Sequence, residues 1–227
     1  MLRAIIFDFD GVLANSEPLH LRSYQAVLSA ERITLDEADY YARYLGYDDV
    51  GAFRAIARDH QRAWSPEQVG DLVAAKARRM EELERDISVL YPGAADAVRR
   101  VSTVPLAIAS GALGIEIRRV LDREGLAPFF PIVVSAEDTP ASKPSPDPYL
   151  RALGLLGEAA GHAIDPRDCV AIEDSLWGLE SARAAGLRTV AVAQTYTSAT
   201  LAPAADLVLS SVADVDLHTL AALFHTS

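Results

Sequence analysis

The feature that most constrains the fold is a series of short apolar runs, each bounded by turn residues. The runs are too short for helices and lack polar alternation, so they predict buried parallel strands. They are Ala4 to Phe7, Leu106 to Ala109, Ile132 to Val134, Cys169 to Ile172, Thr189 to Ala193 and Leu207 to Leu209. Because helical stretches separate them, the pattern predicts an α/β fold with a doubly wound parallel sheet.

Helical patterns fill most of the intervals between these strands. They cover Ala94 to Ser102, Gly114 to Glu124, Pro148 to Leu156 and Leu176 to Ala185. Glycines such as Gly125 and Gly186 follow several of them, as expected where a helix ends. The Ala- and Gly-rich segment from Leu155 to Ala163 is predicted to be a surface connection.

The interval from about Glu17 to Asp86 breaks the alternation, because it holds helical pattern without a convincing strand. The segment Ser65-Pro66-Glu67-Gln68 predicts a helix start with a capping box between Ser65 and Gln68. We therefore predict a core domain of residues 1–16 and 87–227, with a helical cap of residues 17–86 inserted after the first strand. The length of 227 residues fits one core domain with an inserted subdomain.

Composition excludes several classes of partner. The chain carries 21 basic and 32 acidic residues, a net charge of -11, so most of its surface would repel nucleic acid. No stretch approaches the length needed to span a bilayer, so no membrane partner is expected. Cys169 is the only cysteine and is predicted to be buried in a strand, and the default expectation is a cytoplasmic protein. The oligomeric state stays open.

The segment Asp8-Phe9-Asp10-Gly11-Val12 directly follows the first apolar run. In an open parallel sheet, ligands bind at the carboxyl ends of the strands. Carboxylates at positions i and i+2 project to one side of an extended segment, and Gly11 allows a sharp turn after them. This pattern predicts a catalytic pair, although two acids ending a strand at the surface would look the same.

Three later strands also end in reactive side chains. They supply the hydroxyl of Ser110 beside Gly111, the cation of Lys143, and the two acids Glu173 and Asp174. Alone, a serine at a strand end is most often a helix cap, and a lysine in a proline-rich loop is most often solvated. Their shared placement at strand ends predicts that they belong to one site.

Together these motifs resemble the haloacid dehalogenase-like superfamily. The matching residues are Asp8-Phe-Asp-Gly-Val, Ser110, Lys143 with Pro144, and Glu173-Asp174-Ser175 continuing through Gly178, Ala182, Ala185 and Gly186. The resemblance covers essentially the whole chain, since the helical insertion is also a family feature. It implies a Rossmann-like core and phosphoryl transfer from a small phosphorylated metabolite.

The resemblance and the chemistry of phosphoryl transfer agree on the catalytic roles. Asp8 is expected to attack phosphorus and form an aspartyl-phosphate. Asp10 is expected to protonate the leaving oxygen and then to deprotonate the incoming water or hydroxyl. Ser110 and neighbouring amides, with Phe9 and Gly111 as binding positions, are expected to hydrogen-bond the phosphoryl oxygens.

A carboxylate cluster around a dianionic substrate requires cations. Lys143 is expected to hold the phosphoryl group and the Asp8 carboxylate within its field. Hard oxygen ligands favour Mg²⁺, and the family resemblance implies Asp8, Asp174 and the backbone carbonyl of Asp10 as ligands. Glu173 is either a direct ligand or a residue behind the ligands. The five histidines have no zinc-like spacing.

Within the superfamily, Asn15-Ser-Glu-Pro-Leu-His20 resembles the branch of β-phosphoglucomutases and sugar-phosphate phosphatases. The resemblance implies that His20 lies at the hinge side of the cap and helps position the acid/base; the alternative is a helix residue partly covered by the cap. Lys76 matches a cap lysine that faces the active site in such enzymes. A solvated helix lysine is the alternative. Most of the cap aromatics Tyr40, Tyr41, Tyr44, Tyr47 and Trp64 are predicted to be packing residues, and one or two of the tyrosines are candidates to line the pocket.

The sequence therefore predicts a Mg²⁺-dependent phosphatase for a small phosphomonoester, such as a sugar phosphate. A phosphohexomutase is the first alternative, but Leu45-Gly46-Tyr47-Asp48-Asp49 carries acids where the mutase pattern has an arginine, and these would repel a second phosphate. Arg43 or Arg54 could supply that charge. A non-catalytic metabolite-binding protein is an alternative of another class, although all catalytic side chains are present. The presence of Asp10 excludes dehalogenases and phosphonate hydrolases of this fold.

Overall fold

The computed structural model describes residues 1–45, 47, 49–85 and 87–224. Its contacts divide the chain into two compact units, one of Met1–Asn15 with the chain from Val89 onward, and one of Ser16–Ser88. We call them the core and the cap. The domain bounds 1–16, 87–227 and 17–86 stay predictions, and Asp86 lies outside the described residues.

Six strands form one parallel sheet in the core. They are β1 Ala4–Phe7, β2 Leu106–Ala109, β3 Ile132–Val134, β4 Cys169–Glu173, β5 Arg188–Val192 and β6 Leu207–Leu209. Their order is β3-β2-β1-β4-β5-β6, so the direction of winding reverses between β1 and β4. A crevice for ligands is expected at the carboxyl ends of strands at such a reversal. The predicted doubly wound α/β fold with an inserted helical cap is confirmed.

The α-helices of the described chain are distributed over both units. The cap contains α1 Glu17–Ala30, α2 Glu37–Asp39, α3 Asp49–Asp59 and α4 Pro66–Glu84. A π-helical turn, Tyr40–Tyr44, directly follows α2. The core contains α5 Ala94–Val101, α6 Gly114–Arg123, α7 Asp147–Ala160, α8 Leu176–Ala184, α9 Ser198–Leu201 and α10 Leu217–Ala222.

The strands are mostly apolar because both faces of the sheet are covered, the exceptions being Glu173 of β4 and Arg188 and Thr189 of β5. Ala4 and Ile6 of β1 pack with α7 residues such as Tyr149 and Leu153 on one face. Successive strand residues point to opposite faces, so Phe7 follows on the other side, where it meets the ring of Phe130 edge to face at 5.8 Å. Cys169 is fully buried in β4, as predicted.

One sequence prediction in the core is wrong. The segment from Leu155 to Ala163 is not a surface connection over most of its length, because α7 continues to Ala160. Leucine, alanine and glutamate in this segment are strong helix formers, and they outweigh the cost of Gly157. The helix ends at Gly161, which has a φ of 74° and closes it with backbone hydrogen bonds.

The cap has an apolar core of its own. Tyr24 and Leu28 of α1 pack with Phe53 and Ile56 of α3 and with Val69 of α4. The helix start at Ser65 is confirmed, since the side chains of Ser65 and Gln68 each bond the other residue's backbone N–H. Of the clustered tyrosines, Tyr40 and Tyr44 are buried, as expected for packing residues, whereas Tyr41 and Tyr47 are exposed.

None of the described helices combines the length and the apolar character that a membrane span requires. The predicted cytoplasmic location stays a prediction.

Candidate active site

The turn after β1 carries the first acidic motif. The Asp8 N–H donates to the Ile172 carbonyl of β4, which continues the strand ladder into the motif. The chain then turns sharply, with Leu13 and Ala14 both donating to the Phe9 carbonyl. Asp8 is 8% exposed and is therefore buried rather than on the surface. The alternative interpretation, in which the two acids lie at the surface where the strand ends, is therefore wrong for Asp8.

Lys143 contacts two of the predicted acids at once. Its Nζ lies 2.9 Å from Asp8 Oδ1 and 2.6 Å from Glu173 Oε1, and 5.2 Å from the centre of the Tyr149 ring. Burial lowers the pKa of Lys143, but the charges of Asp8 and Glu173 outweigh this effect and raise it. The lysine is therefore a permanent cation held against Asp8, not a solvated loop residue.

Glu173 is held by protein donors on both oxygens. Oε1 accepts from Lys143 and, at 2.6 Å, from the Tyr149 hydroxyl, while Oε2 accepts from the Asp174 N–H at 3.2 Å. The carboxylate is fully buried, and a Cβ on Gly178 would lie 2.0 Å from its Cδ. Only glycine fits at position 178. Two roles were open for Glu173, a direct metal ligand or a residue behind the ligands. Its contacts favour the second role, in which Glu173 anchors Lys143.

Asp174 lies against the turn of the first motif. Gly11 has a φ of 78°, and a Cβ built on it would lie 2.0 Å from Asp174 Oδ2, so only glycine can occupy this position. Burial raises the pKa of Asp174 to about 6, and the charge of Glu173 adds to the effect. The Thr195 side chain and the cation of Lys143 oppose this rise in the pKa.

The three carboxylates of Asp8, Glu173 and Asp174 offer ligand atoms that all lie within 4.8 Å of one another. One lysine cannot neutralise three buried acids. Burial accordingly raises the pKa of Asp8 well above its usual value, with Glu173 adding to the rise and Lys143 opposing it. A hard divalent cation suits this donor set, because it supplies the missing charge and prefers carboxylate oxygen.

The other predicted core residues lie at the same edge of the sheet. Phe7 pairs with Ile108, so Ser110 follows β2 at the edge where Asp8 follows β1. Ser110 is 3% exposed, and its Oγ accepts from the Ala112 N–H at 3.1 Å. The Phe9 N–H donates to Asp8 Oδ1 at 2.7 Å.

Two core positions are more open. Gly111 is exposed, and a Cβ built on it would meet no other atom within 4 Å. Asp10 is partly buried in the turn after β1. The roles assigned to both residues stay predictions.

The two predicted cap residues contact each other. Lys76 Nζ lies 2.7 Å from His20 Nδ1 and 2.8 Å from Asp49 Oδ1, and Lys76 is 2% exposed. The reading of Lys76 as a solvated lysine is wrong. Burial lowers the pKa of His20 to about 4, and the Lys76 charge contributes. Because an ammonium group can only donate, His20 is neutral and accepts at Nδ1.

Hydroxyl groups complete this cap cluster. The Tyr24 hydroxyl donates to Asp49 Oδ1 at 2.7 Å, and Lys76 Nζ lies 5.1 Å from the centre of the Tyr24 ring. The Tyr40 hydroxyl donates to Glu17 at 2.7 Å. Asp49 belongs to the segment Leu45 to Asp49, whose acids argue against a mutase. The other acid, Asp48, and Gly46 lie outside the described residues.

The sequence did not reveal several residues that hold these groups. Tyr149 falls within a helical pattern, where it reads as an ordinary core aromatic. Thr195 follows β5 with no motif around it, and Gln194 is equally inconspicuous. Asp49 was recognised as an acid but not as the partner of Lys76, because 27 residues separate them.

Comparison with known proteins agrees with this arrangement. A family model described as haloacid dehalogenase-like hydrolase matches residues 2–186. The fold and the residues at its strand ends thus define a hydrolase with an α/β core and a helical cap. The chain belongs to the haloacid dehalogenase-like hydrolase family, which confirms the resemblance inferred from its motifs.

Two curated relatives are similar over most of their length. Protein CbbY of Rhodobacter capsulatus is 32% identical over 86% of this chain and 87% of that protein. Hexitol phosphatase B of Escherichia coli K12 is 32% identical over 83% of this chain and 82% of that protein. These values place the chain beside the CbbY and hexitol phosphatase branch of the family.

A solved structure of CbbY from Rhodobacter sphaeroides in complex with phosphate is similar throughout. It is 28% identical, has a TM-score of 0.81, and is matched over 97% of this chain and 100% of that chain. A mutant of the same protein in complex with xylulose-(1,5)-bisphosphate gives a TM-score of 0.79, with coverage of 96% and 100%.

Proposed function

We propose that this protein is a Mg²⁺-dependent phosphatase that hydrolyses a small phosphomonoester, such as a sugar or polyol phosphate, through an aspartyl-phosphate on Asp8. The contact of Lys143 with both Asp8 and Glu173 carries the proposal. It holds a buried carboxylate in one orientation beside a fixed cation, which a nucleophile for a phosphate dianion requires. Surface carboxylates have no need of such an arrangement.

The first half of the reaction transfers the phosphoryl group to the enzyme. An Asp8 oxygen attacks phosphorus while the ester P–O bond breaks. Asp10 gives its proton to the departing alcohol oxygen, so the product leaves as a neutral alcohol. Lys143 offsets negative charge on Asp8 and on the phosphoryl oxygens, and Ser110 with the Phe9 and Gly111 amides would donate to those oxygens.

The second half returns the enzyme to its starting state. Asp10, now ionised, takes a proton from water as the water oxygen attacks phosphorus, and the Asp8 O–P bond breaks. Inorganic phosphate leaves and Asp8 is a free carboxylate again. Mg²⁺, held by Asp8, Asp174 and the Asp10 carbonyl, would supply charge neutralisation and alignment of the phosphoryl group when bound.

The ion pairs of Lys76 and Arg43 in the cap favour a substrate with one phosphate over a bisphosphate intermediate. Lys76 contacts Asp49 at 2.8 Å and Arg43 contacts Asp59 at 2.7 Å, so these two cap cations already have carboxylate partners, whereas Arg54 is exposed on α3. A mutase must hold a second phosphate while its bisphosphate intermediate reorients, and paired cations serve this purpose poorly. The activity in the name of hexitol phosphatase B, a relative at 32% identity, also supports hydrolysis of a polyol phosphate.

The proposal is tested by phosphate release from a substrate panel with Mg²⁺. The panel should contain hexitol phosphates, hexose phosphates and xylulose-1,5-bisphosphate. We expect release from a monophosphate that falls at least about 10²-fold in Asp8→Asn and is abolished by a chelator, as expected on loss of the nucleophile or cation. Asp122→Asn removes the same charge from an exposed core position and should leave the rate unchanged.

Other outcomes of this panel would redirect the assignment. Retention of the wild-type rate by Asp8→Asn would overturn the covalent mechanism. Conversion of β-glucose 1-phosphate to glucose 6-phosphate, primed by a bisphosphate and with little phosphate release, would establish the mutase instead. Tight binding of a phosphorylated metabolite without turnover across the panel would establish a binding protein.

A further inference from the structure

The segment after β5 bonds the turn that carries Asp10. The side-chain amide of Gln194 donates from Nε2 to the Gly11 carbonyl at 2.8 Å and to the Val12 carbonyl at 3.1 Å. Its Oε1 accepts from the Val212 N–H at 2.7 Å and from the Ser211 hydroxyl at 3.3 Å. Carbonyls on one side and donors on the other allow only one amide orientation.

The next residue reaches the other acidic motif. The Thr195 side chain lies near the Asp174 carboxylate. Two consecutive side chains are thus placed beside two parts of the candidate site, Gln194 bonding the turn after β1 and Thr195 lying near the acid after β4. Asp174 and Gly11 are themselves in close contact, since a Cβ on Gly11 would lie 2.0 Å from Asp174 Oδ2. A shift of the turn therefore changes the separation of Asp174 from Asp8 and Asp10.

We infer that Gln194, assisted by Thr195, is a positioning residue that fixes the turn of Asp8 and Asp10 against Asp174 at the separation a divalent cation requires. This inference rests on the proposed function. Gln194 touches no reacting atom; it acts through the Gly11 and Val12 carbonyls.

The demands of Mg²⁺ make this positioning consequential. Mg²⁺ requires near-ideal octahedral geometry at short distances, so small displacements of its carboxylates weaken binding. Residues that hold metal ligands in place typically contribute 10- to 100-fold to metal affinity or activity. The Gln194 side chain satisfies two carbonyls of a five-residue motif whose acids would bind the cation or the substrate. The residue that makes these two bonds lies 183 positions from Gly11 in the sequence.

The variant Gln194→Glu tests the inference at constant shape. It keeps the acceptor for Val212 but replaces the donating amide with a carboxylate that faces two carbonyls. We expect the Kd for Mg²⁺, measured by titration calorimetry, to rise about tenfold or more. We also expect kcat/KM at limiting Mg²⁺ to fall by a similar factor and to recover substantially as Mg²⁺ is raised.

Gln25→Glu is the matched control. Gln25 also donates its side-chain amide to a backbone carbonyl, that of Leu35 in the cap, at 2.9 Å. The same chemical change there should leave the Kd for Mg²⁺ unchanged. If Gln194 had a purely structural role, Gln194→Glu would behave like Gln25→Glu. Both variants would then have a lower melting temperature and the Mg²⁺ affinity of the wild type.

A second variant keeps the inference testable if Gln194→Glu does not fold. Thr195→Val preserves shape and removes the hydroxyl that lies near Asp174, so we expect a weaker Mg²⁺ affinity, with Thr195→Ser restoring it. If Gln194→Glu folds and matches the wild type in Mg²⁺ affinity and activity, the inference is overturned and the proposed function stands. If the wild type itself neither binds Mg²⁺ nor releases phosphate, the proposed function fails first.

Discussion

Two buried lysines, one in the core and one in the cap, are surrounded in almost the same way. Lys143 contacts the carboxylates of Asp8 and Glu173 and lies over the Tyr149 ring, whose hydroxyl bonds Glu173. Lys76 contacts Asp49 and lies over the Tyr24 ring, whose hydroxyl bonds Asp49. Each cluster therefore joins a lysine, an acid and a tyrosine.

The clusters differ in charge balance. In the core, three carboxylates share one lysine, and burial together with the excess negative charge raises the pKa of both Asp8 and Asp174. In the cap, Lys76 contacts a single carboxylate, Asp49, and its other contact partner, His20, is neutral, while the nearby Glu17 is bonded by the Tyr40 hydroxyl. Similar contacts thus give a site that calls for a further cation in one unit, and a balanced network in the other. Charge balance, more than contact geometry, distinguishes them.

Replacement of each lysine by methionine should give the largest contrast. Lys143→Met removes a fixed cation beside the nucleophile, and we expect phosphatase activity to fall about 10²- to 10³-fold. It also leaves Glu173 buried without its cation. We therefore expect the free energy of unfolding, measured with a chelator present, to fall by about 3–5 kcal/mol. Lys76→Met should cost less, about 1–3 kcal/mol, because Asp49 is 29% exposed and keeps the Tyr24 hydroxyl.

Phosphate release and urea unfolding measure these two effects. The chain contains no other lysine, so each of the two serves as the control for the other. Equal losses of activity in the two variants would contradict the distinction between a catalytic and a balancing lysine.

The paired tyrosines provide a smaller test. Tyr149→Phe removes a donor to a fully buried carboxylate, whereas Tyr24→Phe removes one from a carboxylate that water can reach. Hydrogen bonds to charged groups contribute about 1.5–3 kcal/mol, so we expect Tyr149→Phe to lose about 2 kcal/mol and Tyr24→Phe about 1 kcal/mol or less. Urea unfolding at neutral pH compares them, and a larger loss in Tyr24→Phe would contradict the role of burial.

The smallest expected effect is the pH dependence of the cap. The pKa of His20 falls from 6.5 to about 4 in the folded protein, because burial and Lys76 disfavour the charged ring. Between these values the unfolded chain binds more protons than the folded one, so stability falls as the pH drops. This contribution should reach on the order of 2 kcal/mol between pH 6.5 and 4.5.

The variant His20→Asn isolates this effect, since asparagine keeps an acceptor near the Nδ1 position and does not titrate. Unfolding free energies of the wild type and the variant, measured at pH 6.5 and 4.5, should show a smaller acid-induced loss in the variant. Parallel losses in the two proteins would mean that folding does not lower the pKa of His20.

The sequence by itself determined the parallel sheet, the inserted cap and the group of acids with Lys143. The carboxyl ends of parallel strands meet at one edge, so topology alone brings Asp8, Ser110 and Glu173 together. Lys143 was also expected at a strand end, but it lies in the loop between β3 and α7 and reaches the acids from there. The same reasoning failed for Leu155 to Ala163, where composition suggested a connection but helix formers and a closing glycine extended α7.

Only the tertiary structure decided which side chains hold these groups. Tyr149 reaches Glu173 over 24 residues, Asp49 reaches Lys76 over 27, and Gln194 reaches Gly11 over 183. No periodic pattern or local motif records such pairs, because they depend on how separate elements pack. For the same reason the sequence left Lys76 open between a buried and a solvated residue, and its burial follows from the packing of the cap helices around it.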